Sequence, residues 1–118
     1  MALTYKGVAS RRYDGNAVTV TIPAGQTWTA GKLYYAQGFH GISQSSGVGG
    51  DLVALATDRG VYELAIGAGV TAVKGDVLYI TTDGTNTINA TNTNRPALKV
   101  VKAKDANNVI WAQVLENR

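Results

Sequence analysis

The sequence predicts an all-β fold, a small antiparallel β-barrel or sandwich with pseudo-repeated corners and an extended N-terminal arm. Three observations predict it. Short runs rich in Val, Ile, Tyr and Thr recur along the chain, the composition of strands. Gly, Asn, Asp and Pro separate them, and fourteen glycines in 118 residues leave little room for a long helix. The stretch IPAGQTWTAGKLYY, residues 22–35, returns 44 positions later as IGAGVTAVKGDVLY, residues 66–79. Ile22, Ala24, Gly25, Thr27, Gly31 and Tyr35 meet Ile66, Ala68, Gly69, Thr71, Gly75 and Tyr79.

Residues 1–14 carry Tyr5, Lys6, Arg11, Arg12 and Tyr13 but no strand pattern, and read as an arm ahead of a single β domain over 15–118. Asp14-Gly15 is a turn signal. Residues 17–22 alternate, with Val18, Val20 and Ile22 on one face and Thr19 and Thr21 on the other, as in a half-buried strand. Further strands are expected over 32–37, 51–57, 61–66, 76–82, 86–91, 97–103 and 109–116. Those at 51–57, 76–80 and 109–116 are apolar on both parities, which points to the centre of a curled sandwich or to a subunit interface. Leu55, Tyr62 and Trp111 are the interface candidates. Asp83-Gly84 reads as a hairpin with a primed turn, and residues 105–108 as a second hairpin loop. The one helical candidate is a short turn at 68–74. Glycine serves positive φ at the repeated corners, and two copies of 44 residues are too few for a solenoid.

Cysteine is absent, so no disulfide or thiolate metal site forms. No N-terminal apolar run and no stretch of 18 apolar residues occur, so neither a standard secretory signal nor a membrane span is expected. The net charge of +3 suits a weakly acidic partner surface. Acidic residues are interspersed and no aromatic-basic motif appears, which argues against nucleic acid. The charged fraction of 16% is low and hints at surface hidden against a partner or a second copy.

The side chains that carry chemistry are few. His40 is the single histidine, followed by Ser43, Ser45, Ser46 and Asp51. A triad needs a base, its orienter and a nucleophile in register, and no motif frames these, so His40 is expected to flank a turn. SSGVGGD, residues 45–51, precedes a strand where a phosphate cradle needs a helix, and reads as a surface loop. Glu63 lies in a strand, where it can pair with a cation across the sheet. No carboxylate dyad or metal-ligand cluster is legible, and no cofactor is expected. Residues 73–80 look like part of a biotinyl or lipoyl carrier domain, but the tip at Asp83-Gly84 has no lysine, and Lys74 precedes the strand. Trp28 stands where the second copy has Ala72. It reads either as an interface anchor or as a lid on the barrel end with its N–H on a nearby carbonyl.

The order of these segments resembles a known group. VTVTIPAG, GGDL, GVYEL and GDVLY, followed by a polar hairpin and a Val-rich final strand, are similar to the cement or decoration proteins of tailed-phage capsids over roughly residues 15–116. The resemblance implies a structural, non-enzymatic protein made in the host cytoplasm. It implies binding to the exterior of an expanded head, bridging of major capsid protein subunits, and a homo-oligomer, with a trimer favoured and a dimer the alternative. Expected capsid contacts are Tyr5, Lys6, Arg11, Arg12, Tyr13, Trp28, Ser45 and Ser46. The competing expectation is a carbohydrate- or surface-binding module of a phage fibre, with Trp28, Tyr34 and Tyr35 as a stacking platform. A small hydrolase centred on His40 is a third.

Overall fold

A computed structural model describes residues 17–117, and the expected arm lies outside them. The described residues form antiparallel strands and no helix, as the composition predicts. In order they are β1 (Ala17–Thr21), β2 (Thr27–Trp28), β3 (Leu33–Ala36), β4 (Phe39–Ser43), β5 (Gly47–Val48), β6 (Leu52–Ala56), β7 (Val61–Ala65), β8 (Val77–Ile80), β9 (Ile88–Asn89), β10 (Arg95–Lys102) and β11 (Val109–Val114). The first sheet has the order β1-β6-β4-β3, the second β7-β11-β10-β8-β9, and β2 pairs with β5 as a short ribbon. Both sheets are curled half-barrels.

The two sheets repeat each other strand for strand. β1, β6, β4 and β3 correspond to β7, β11, β10 and β8 in the same order. The register is also the same. Thr21 lies opposite Leu52 as Ala65 lies opposite Val109. Leu33 faces Ile42 as Val77 faces Lys99, and Ile42 faces Ala56 as Lys99 faces Gln113. Counterparts in β1 and β3 are 44 apart (Thr21 and Ala65), and those in β4 and β6 are 57 apart (Ile42 and Lys99). The difference lies in the link between the last two paired strands. The first half turns on Gln37 and Gly38, both at positive φ as a two-residue hairpin requires. The second takes the longer excursion 81–94, which carries β9. The corner bonds match too. Gly31 N–H donates to Ser43 O at 2.8 Å, as Gly75 N–H does to Val100 O at 2.8 Å. Gly31 and Gly75 take φ of +86° and +94°, where a Cβ would be strained. The repeated stretch in the sequence is thus one corner of a repeated half-barrel.

The cores of the two halves differ. The front of the first sheet buries Val20, Val53 and Leu55 under Trp28 and Tyr34, whose rings stack 4.4 Å apart and within 3° of parallel. Its back presents Leu33, Ile42 and Ala56 to the front of the second sheet, where Leu64, Leu78, Leu98, Ile110 and Ala112 receive them in a larger core. Bulk is therefore placed differently. The first half has Trp28 on the corner with Gly41 and Ser43 on the middle strand. The second has Ala72 on the corner with Leu98 and Val100 on the strand. The back of the first sheet closes the hollow of the second.

Several expectations are corrected. The segment 38–43, which no expected strand covers, contains β4, and Gly41 within it is obligatory. A Cβ there would lie 2.6 Å from the backbone oxygen of Ala56. At Asp83-Gly84 only Gly84 has positive φ, so no primed turn forms. A longer loop is closed instead by Thr81 N–H on Thr87 O at 3.0 Å, and the Asp83 carboxylate accepts from Thr85 N–H and Oγ1–H. The strand expected over 86–91 shrinks to β9. Residues 68–74 form turns, with Val70 N–H on Gly67 O, and no helix.

Candidate interaction surfaces

The back of the second sheet is the counterpart of the back of the first, which buries Leu33, Ile42 and Ala56 and leaves Thr19 and Leu52 exposed, and it is open. Across it, in register, run Glu63 on β7, Trp111 on β11 and Lys102 on β10. The next row holds Val61, Gln113 and Lys99. Trp111 is 41% exposed and Val61 52%, unusual for large apolar groups on one face. The Lys102 ammonium sits 4.7 Å from the Trp111 ring centroid, a cation–π contact. The Glu63 carboxylate makes no ion pair among the described residues, where the salt bridge is Arg59–Glu116.

His40 lies where the halves meet, fully buried. Arg95 Nε–H donates to its Nδ1 at 2.8 Å, so the ring proton is on Nε2 and goes to Leu115 O at 2.8 Å. Asn117 completes the clasp. Its Oδ1 accepts from His40 N–H and Arg95 Nη2, and its amide donates to His40 O. The Arg95 guanidinium lies 5.2 Å over the Tyr35 ring. Burial, with the Arg95 charge adding to it against the Leu115 bond, pulls His40 down to about 4 and keeps it neutral. His40 stands on β4, separated from the Gln37-Gly38 turn by Phe39, and its ring is held at the seam. Both its nitrogens are engaged, and Ser43, on the opposite face of β4, gives its hydroxyl proton to Ser45 O. The parts of a hydrolase are not brought together.

Tyr5, Lys6, Arg11, Arg12 and Tyr13 lie outside the described residues. Trp28 is 1% exposed and donates its indole N–H to Gln26 Oε1, so its ring fills the core. Leu55 is fully buried in the same core. Tyr62 is half-buried, and its hydroxyl donates to Asp58 at 2.8 Å. Burial first, then that bond and the carboxylate charge, push it up to about 12. Ser45 and Ser46 are exposed beside β5, and Ser46 Oγ accepts from Ala30 N–H. The sugar platform is not assembled, because Trp28 and Tyr34 stack in one core while Tyr35 points to the other face, beneath Arg95. A groove between the two corners is lined by Gln26, Thr27, Lys32, Thr85 and Asn86. Gln26 and Asn86 hydrogen-bond each other there. Among the described residues no three of His, Asp and Glu gather as metal ligands.

The sequence matches the family of phage cement proteins over residues 13–115. The chain belongs to that family. No curated protein matches it. Membership agrees with a molecule whose polar clusters tie strands together and whose open surface is a sheet face. What sequence reasoning missed is the pairing of Trp111 with Glu63 and Lys102. The signal was present as one charged residue on β7 and a lysine just after the bulge in β10, but it needed the register to be read.

Proposed function

We propose that this protein is a structural cement that binds the exterior of an expanded phage head and bridges major capsid protein subunits. Family membership over residues 13–115 carries the reading. The buried, fully hydrogen-bonded state of the single histidine supports a role without catalysis. A protein that binds only the assembled shell stabilises it by the free energy of occupancy, and several linked copies add avidity. In this reading the arm, residues 1–14, supplies Tyr5, Lys6, Arg11, Arg12 and Tyr13 to the capsid, and Ser45 and Ser46 form a second contact. The β domain begins at residue 15, and Trp111 lies on its assembly side, while Tyr62, on the opposite face of β7, packs against the larger core. Trp28 and Leu55 act inside the fold. The protein works as a homo-oligomer. The resemblance favours three copies, and the chain's own surface favours two.

The test is co-sedimentation with expanded, DNA-free heads. Saturable binding that raises the temperature of head disruption is expected, and loss of binding on deleting residues 1–13 would assign the arm. Full-length protein that ignores expanded heads would refute the reading.

A further inference from the structure

We propose that the open back of the second sheet pairs with the same face of a second copy, about a twofold axis that runs along β11. This rests on the homo-oligomer reading above but not on capsid binding. The first observation is the contrast between equivalent faces. On the back of the first sheet Leu33, Ile42 and Ala56 are covered by the second sheet, while Thr19 and Leu52 beyond them are exposed; the counterparts of the covered three, Val77, Lys99 and Gln113, have no such cover. The back of the second sheet presents Trp111 and Val61 to solvent. The second is the order of charge. Glu63, Trp111 and Lys102 stand on three adjacent strands in register. Strands in a sheet lie about 4.8 Å apart, so the backbone positions of Glu63 and Lys102 flank that of Trp111 on opposite sides at similar distances.

That order selects a geometry. Rotation about an axis along β11 exchanges the β7 side for the β10 side. Glu63 of each copy then faces Lys102 of the other, and the two Trp111 rings meet near the axis. Rotation about an axis across the strands sets Glu63 on Glu63 and Lys102 on Lys102, which repel. Facing sheets pack about 10 Å apart, a gap that indole side chains fill. The third observation is that the fold does not need this row. At the matching places on the first sheet stand Thr19 and Ala54, neutral and small. A twofold contact is self-complementary and closes on two copies.

Sedimentation equilibrium on the full chain tests this, with circular dichroism to confirm that each variant folds. Wild type is expected to be a dimer that weakens with added salt. Glu63→Lys and Lys102→Glu should each weaken self-association by about tenfold or more, since each sets two like-charge contacts in one interface. Mixed one to one, the two single variants complement at both contacts and should regain a dimer, and the double swap should regain a homodimer. A monomeric or trimeric wild type, single variants that associate like wild type, or a mixture that stays monomeric would each overturn the proposal. Capsid binding is scored separately. Dimers that ignore heads would count against the cement reading alone, and decorated heads with monomeric free protein against the dimer alone.

Discussion

The halves 17–56 and 61–114 share strand order and register, yet they solve the problem of a hollow half-barrel in different ways. The first fills its own hollow with Trp28 stacked on Tyr34. The second leaves Ala72 at that corner and takes in the back of its neighbour, Leu33, Ile42 and Ala56. Backbone topology is therefore one decision and core filling another. The same ladder accepts a local plug or a docked sheet, provided the bulk is moved to match.

The largest expected effect comes from giving the first half the second half's corner. Trp28→Ala removes a fully buried ring from the smaller of the two cores and should cost about 3–5 kcal/mol, read by chemical denaturation. A loss under about 1 kcal/mol would mean that the front of the first sheet does not depend on its plug.

The seam between the halves is tested by acid. His40 is neutral when folded, with its pKa lowered from 6.5 to about 4. The unfolded chain binds that proton near 6.5, so between pH 6.5 and 4 the unfolded state holds more protons. The contribution is complete above pH 6.5 and falls away as pH drops towards 4, by about 3 kcal/mol at most. Stability measured at pH 7 and 4.5 should differ more in wild type than in His40→Gln. Equal slopes would remove the clasp as an acid-sensitive joint.

The third comparison is Gly41 with its counterpart Leu98. Gly41→Ala drives a Cβ against the Ala56 oxygen and should cost about 1–3 kcal/mol. The smallest effect concerns the Arg59–Glu116 pair, which ties the link between the halves to the segment after β11 and whose side chains are 68% and 69% exposed. Glu116→Gln should change stability by less than about 1 kcal/mol and less still in high salt. A larger loss would mean that this exposed pair holds the link between the halves in place.

The fold class was legible because strand composition and turn residues act locally. The corner repeat was legible because Gly31 and Gly75 must take positive φ, and few residues do so without strain. The rest of the repeat was not. β4 and β10 share register but no residue identity over their aligned core, since ladder bonds come from the backbone and accept Ile42 or Lys99 alike. β4 itself was hidden by a glycine that reads as a breaker and is there to let β6 approach. The engagement of His40 was hidden for a related reason: its partners Arg95, Leu115 and Asn117 lie far along the chain. Trp28 showed in the sequence as a break in the repeat, but whether a lone tryptophan faces inward depends on the sheet it covers.

The nesting of one half's back into the next half's front is a head-to-tail relation. Such a relation has no inherent end, because the last unit always offers the surface that the first one used, and repeated without closure it grows into a filament. Trp28 supplies the end. By occupying the front of the first half it leaves no hollow for a further back face to enter, so the series stops at two units. For a phage cement protein this is the difference between a layer that saturates and a fibre that keeps growing.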